Sequence, residues 1–185
     1  VKIGGHCRSR GGFLANALRL PGVRREEAAL EARAIALIER LELAEVAWRP
    51  AGALPFAFQK RVEMARALMA EPTLLLLDEP AGGLNHEELD RLKAEIRAIA
   101  DSGITVLLVE HHMGLVMAIS DKVVALDFGR RIAEGTPDQV RAHPDVIRAY
   151  LGTDDPPDDP APPGGDGHGG GGVARVTASV TGAGA

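Results

Sequence analysis

The sequence predicts an α/β fold, a mostly parallel sheet flanked by helices, and three observations predict it. Four consecutive leucines, Leu74 to Leu77, read as a strand buried on both faces that ends in Asp78-Glu79-Pro80. A second apolar run, Ile104 to Val109, ends in the same way in Glu110, His111 and His112. Between them Leu89, Leu92, Ile96 and Ile99 recur at helical spacing. Strand, helix, strand is the right-handed crossover unit of a parallel sheet.

The elements follow in order. From Val1 to Pro21 the chain is rich in Gly and Arg around one apolar patch, Phe13 to Leu18, and reads as the end of one short helix and the start of another. Its scattered arginines read as solvated. Glu26 to Leu43 is an amphipathic helix, with Leu30, Ala34, Leu37, Ile38 and Leu41 on one stripe. Pro50, Gly52 and Pro55 mark a loop before a second helix, Gln59 to Ala70, in which Val62, Ala65 and Met69 align. Pro80 stops the leucine strand because it cannot donate to a ladder. Ala81 to Asn85 is then a turn, with Asn85 as N-cap and Glu88 completing a capping box for a helix through Ala100. Asp101-Ser102-Gly103 ends that helix, and Met113 to Ile119 is helical after the second strand. Lys122 to Leu126 and Arg131 to Glu134 read as a hairpin about Asp127-Phe128-Gly129. Thr136-Pro137 opens another helix, with Thr as cap and Pro in the first turn, and Asp145 to Leu151 forms a last one. Residues 153–185 are rich in Pro, Gly and Asp and carry too little apolar surface to offset the entropy of ordering them, so the tail is expected to be disordered.

Composition bounds the function. A chain of 185 residues, 45% hydrophobic and 25% charged, supports one globular core. Its net charge of −5 argues against broad nucleic-acid binding, which needs a basic surface. Its 1 cysteine, Cys7, leaves no internal disulfide and no Cys-rich zinc site. No apolar run approaches the length of a membrane span, so no direct membrane insertion is expected and a cytosolic setting fits. The chain opens on Val1 rather than Met, which suggests a fragment.

The chemistry gathers at the strand ends. Ligands of an open parallel α/β sheet bind just beyond the carboxyl ends of its strands, which places Asp78, Glu79 and His111 on one rim. An acidic pair beside a histidine suits metal-assisted attack of water on a phosphoryl group. One carboxylate holds Mg²⁺, usually through water; the other accepts the nucleophile's proton; the histidine senses or orients the phosphate.

These residues resemble the nucleotide-binding subunits of ABC transporters. Leu74 to Glu79 is similar to the Walker B strand with its catalytic glutamate, Ala81 to Asn85 to the D-loop, and His111 to the switch histidine. Leu54-Pro55-Phe56-Ala57-Phe58-Gln59, running into the helix after it, is similar to the signature segment. Val109 to Met113, Ser120 to Val124, Phe128 to Pro137 and Val146 to Gly152 resemble the ATP-binding subunit of branched-chain amino acid importers. The resemblance implies a P-loop NTPase fold of the ABC type, present in part: residues 1–50 as part of the helical subdomain and 51–152 as the C-terminal part of the ATPase domain. It implies ATP and Mg²⁺ as cofactors, with Asp78 supporting Mg²⁺, Glu79 activating water and His111 contacting the γ-phosphate. Leu54 to Gln59, with Gly83, Leu84 and Asn85 of the D-loop, would face the nucleotide held by a second ABC ATPase subunit in a head-to-tail dimer. The remaining partners implied are membrane-spanning permease subunits, which would keep the chain peripheral at the cytoplasmic face of the membrane.

Departures from the family pattern set further expectations. No Gly-x-x-x-x-Gly-Lys-[Ser/Thr] occurs, so the backbone phosphate cradle and its lysine are absent from this sequence. Ala57 stands where the family has glycine, and His112 where it has aspartate beside the switch histidine. The chain alone is therefore expected not to hydrolyse ATP, and its leucine strand to present an adhesive edge or an apolar patch.

Overall fold

A computed structural model describes residues 1–8, 21–151 and 175–182. Among them run α1 (Pro21–Arg40), α2 (Phe56–Leu68), β1 (Leu74–Asp78), α3 (His86–Asp101), β2 (Thr105–Glu110), α4 (Met113–Ile119), β3 (Lys122–Asp127), β4 (Arg130–Gly135), α5 (Pro137–Arg141), α6 (Pro144–Leu151) and β5 (Arg175–Val180), with short 3₁₀ turns at Lys2–Arg8, Ala44–Val46 and Ala51–Ala53. The Phe13 to Leu18 patch lies outside the described residues. Two compact units divide the chain: Val1–Leu75 with Gly82–Glu95, and Leu76–Ala81 with Ile96–Ala185.

In the first unit α1 packs on α2. Ala34 and Leu41 of the expected stripe are buried, as are Ala65 and Met69 of the second. Arg33 donates to the Leu68 carbonyl at 3.1 Å and pairs with Glu71, tying α1 to the C-terminal end of α2. Arg61 is buried and pairs with Glu95 at 2.9 Å. Burial pushes the Glu95 carboxyl above its ordinary range, and the Arg61 charge offsets that only in part. The α3 cap forms as the sequence predicts: Glu88 N–H donates to Asn85 Oδ1 and Asn85 N–H to Glu88 Oε2, both at 2.9 Å.

In the second unit the core is built on the sheet, whose order is β1-β2-β5-β3-β4. Val106 and Leu108 alternate inward along β2, Val123 and Ala125 along β3, and Val176, Ala178 and Val180 along β5, all buried. The Glu79 N–H donates to the Val109 carbonyl at 2.9 Å, so the C-terminal ends of β1 and β2 lie side by side, as the helical crossover between them requires. The hairpin of β3 and β4 forms about Phe128-Gly129, and Thr136 caps α5 in a capping box with Gln139.

Three expectations need correction. The α/β class stands, but the sheet is mixed rather than mostly parallel: β5 runs antiparallel to both β2 and β3, and β3 antiparallel to β4. The disorder expected over 153–185 does not extend to its end, where residues 175–180 are a strand. Its period-2 apolar residues find two neighbours, and ladders on both sides satisfy its backbone; apart from residues 181 and 182, the rest of that tail lies outside the described residues. Finally, β1 is not buried on both faces. Leu75 is buried, but Leu74 is 49% and Leu76 65% exposed, because β1 is the edge strand and only one of its faces is covered.

Candidate functional site

The turn after β1 is shaped by an unusual backbone. Glu79 has φ 45°, the left-handed region that non-glycine residues seldom occupy, and Pro80 follows it, buried. The reversal lets the Glu79 side chain leave the strand toward the end of β2. There the His111 Nδ1 stands 3.8 Å from Glu79 Oε1. The two side chains are 40% and 48% exposed, so the pair is open to solvent and to a ligand, and at 3.8 Å it is an electrostatic contact rather than a direct hydrogen bond. Asp78, the last residue of β1, is exposed.

Adjacent residues organise the end of β2. Glu110 is 1% exposed, and its carboxylate accepts the Ala81 N–H at 2.8 Å and the His111 and His112 N–H groups at 3.2 and 3.4 Å. His112 caps α4, its Nδ1 accepting the Leu115 N–H at 3.3 Å. A neutral imidazole thus does there what a carboxylate does at other helix starts.

The signature-like segment lies in the first unit. Leu54 is buried and Pro55 takes the N-cap position of α2 with ψ 151°, so Phe56, Ala57 and Phe58 fill the first turn. No side chain caps this end. The Gln59 amide folds back to the Leu54 carbonyl at 2.8 Å, fixing the loop that enters the helix. Lys60 Nζ stands 5.3 Å from the Phe56 ring centroid and the Arg61 guanidinium 5.8 Å from that of Phe58. Gly83 of the D-loop-like turn has φ 78° and lies against Phe56; a Cβ on it would meet the ring at 3.1 Å. Leu84 is partly buried and Asn85 is held in its cap. The fold thus brings Glu79 to His111 in one unit and Gly83 to Phe56 in the other.

For a divalent cation the fit rests on Asp78. Among the described residues no cluster of three metal-ligating side chains occurs. An exposed carboxylate at a strand end suits Mg²⁺, which is held by one or two carboxylates with waters and substrate phosphate oxygens rather than by an all-protein cage. Among the described residues no helix is long and apolar enough to cross a membrane.

Comparison with known proteins bears on the family. The family described as "ABC transporter" matches residues 8–82, and that described as "Branched-chain amino acid ATP-binding cassette transporter" matches residues 130–156. The chain is 48% identical over 141 residues to the high-affinity branched-chain amino acid transport ATP-binding protein BraF of Pseudomonas aeruginosa, covering 76% of this chain and 55% of that one. It is 44% identical over 150 residues to LivG of Escherichia coli K12, of the same description, covering 80% of this chain and 58% of LivG. The chain spans a little over half the length of these relatives. Among solved structures, an ATP-binding cassette of an ABC transporter in its ADP conformation superposes with a TM-score of 0.65 at 28% identity, covering 81% of this chain and 60% of that one. A nucleotide-free ATP-binding cassette superposes at 0.64 with 26% identity, covering 80% and 60%. From sequence and fold together, the chain belongs to the ATP-binding family of ABC transporters.

Proposed function

We propose that the chain is the hydrolytic portion of an ATP-binding subunit of an importer for branched-chain amino acids. The observation that carries the reading is the approach of Glu79 and His111 to 3.8 Å at the ends of neighbouring strands, beside the exposed Asp78. Glu79 accepts the proton of the attacking water; His111 contacts the γ-phosphate and orients it; Asp78 supports Mg²⁺ through water. When bound, the cation neutralises charge on the phosphate oxygens. Exposure of both side chains in the Glu79–His111 pair leaves room for the phosphate to enter from solvent.

The segment Leu54 to Gln59, with Gly83, Leu84 and Asn85, covers the nucleotide held by a second ATPase subunit in a head-to-tail dimer. The start of α2 supports this role, because its first N–H groups are uncapped by any side chain and favour an anion. Permease subunits then place the chain at the cytoplasmic face of the membrane. BraF and LivG, described as branched-chain amino acid transport proteins, suggest the cargo.

A second reading, a non-catalytic interaction module or degraded remnant of such a subunit, is favoured by one observation: Ala57 stands where the resemblance puts a glycine, and its Cβ obstructs close approach of the backbone to a phosphate. Calorimetry of Mg-ATP binding to the purified chain, with and without a separately expressed P-loop segment of a related subunit, separates the two. Binding and turnover only on complementation, with turnover abolished in Glu79→Gln, is the expected result. Absence of both with folded segments would leave the interaction module.

A further inference from the structure

The buried carboxylate of Glu110 is not used by the proposed chemistry, yet it touches both strands of the loop pair that carries that chemistry. Its side chain is fully buried. Among the described residues its only ion-pair contact is His111, whose Nδ1 is 3.9 Å from Oε2, so no lysine or arginine accounts for the burial. A carboxylate in such a place persists only when hydrogen bonds replace its water. Those bonds come from three backbone donors: Oε1 accepts from Ala81, two residues after Glu79, and Oε2 from His111 and His112.

We infer that Glu110 is the positioning residue of the hydrolytic pair, one carboxylate that bolts the Glu79 turn to the His111 loop and so fixes their spacing. The inference rests on the reading of Glu79 and His111 proposed above. Its geometry needs both oxygens to be acceptors. A glutamine has the same shape but only one acceptor, so it satisfies the Ala81 side or the His111 side and turns an N–H₂ group toward donors on the other. Two acceptor oxygens on one side chain are therefore what the position requires. The tie also opposes the tendency of Glu79 to leave its left-handed conformation, because Ala81 cannot move without breaking its bond to Oε1.

The test is amide hydrogen exchange by NMR on the purified chain. In Glu110→Gln, amide exchange at Ala81 or at His111 and His112 should accelerate about tenfold, the scale of one lost hydrogen bond. Val124 and Ala133 on the hairpin should be unaffected. Unchanged exchange at all three amides would overturn the inference. If Glu110→Gln fails to fold, the wild-type Ala81 amide decides: exchange as fast as an open turn overturns the tie, and protection supports it. Mg-ATP turnover with the P-loop segment separates the two layers of the argument. A lower kcat at unchanged KM in Glu110→Gln is expected. Altered amides in chains that never turn over ATP would sustain the tie and remove the hydrolytic reading.

Discussion

Glu79 carries both the proposed chemistry and a strained backbone. At φ 45° an L-residue other than glycine is unfavourable by about 1–2 kcal/mol, and the fold tolerates it because the N–H bonds Val109 and the turn is held beyond it. Glu79→Gly should therefore raise thermal and urea stability by about 1 kcal/mol while removing the proposed base. A loss of stability in that variant would show that side-chain contacts outweigh the backbone strain. Three residues beyond the end of β2's apolar run, His112 offers a second test. Its cap on α4 depends on a neutral ring nitrogen, whereas an aspartate would accept the same N–H with a charge that favours the helix start. His112→Asp should stabilise the chain by about 0.5–1 kcal/mol in chemical denaturation. No change would mean that the α4 end is held by packing of Leu115 and Val116 alone.

At the scale of elements, β5 decides how the sheet is completed. It fills the place between β2 and β3 and buries Val176, Ala178 and Val180. Its end is latched by Asp121, whose Oδ2 accepts the Thr181 N–H at 2.6 Å and hydroxyl at 2.9 Å while Arg97 approaches Oδ1 at 3.2 Å. Burial by itself would raise the Asp121 carboxyl, but these bonds and the Arg97 charge outweigh it and hold the group below its ordinary value of 3.8. A depressed carboxylate stabilises the fold fully above that value and loses its contribution as pH falls through the lowered one. The chain should therefore lose stability on acidification below pH 3.8, and Asp121→Asn should flatten that slope in melts recorded across the acid range. A slope unchanged by the substitution would assign the acid sensitivity to other carboxylates.

This strand also marks where the sequence stopped being legible. The helix caps at Asn85 and Thr136 and the hairpin about Phe128 follow from local spacing, and the convergence of Glu79 with His111 from the strand, helix, strand order; the structure agrees with each. The strand of 175–180 does not, because its three apolar residues, Val176, Ala178 and Val180, are diluted by the Gly- and Pro-rich stretch before them. Only the presence of two waiting edges makes a strand of them. Burial of Glu110 and of Arg61 was equally hidden, since a charged side chain enters a core only when partners distant in sequence meet it: Ala81 for one, Glu95 for the other.

For the whole molecule in solution, the exposed side of β1 is the governing feature. Leu74, Leu76 and Asp78 alternate on an exposed face, and among the described residues β1 is the last strand at its edge of the sheet. Strand edges with apolar side chains pair with other copies unless a charge or proline interrupts them. Asp78 is the only such charge on this face of β1, and it stands at the end of the strand rather than between the leucines. A net charge of −5 spread over 185 residues gives weak long-range repulsion at physiological salt, where screening acts within about 8 Å. The chain is therefore expected to self-associate as concentration rises. Leu76→Lys puts a charge in the middle of the open face at a position already 65% exposed, so it removes little buried contact and should shift stability by no more than about 0.5 kcal/mol. Light scattering across a concentration series should show the variant remaining monomeric where the parent associates, with superimposable melts at low concentration. Equal association of the two chains would place the adhesive surface elsewhere than β1.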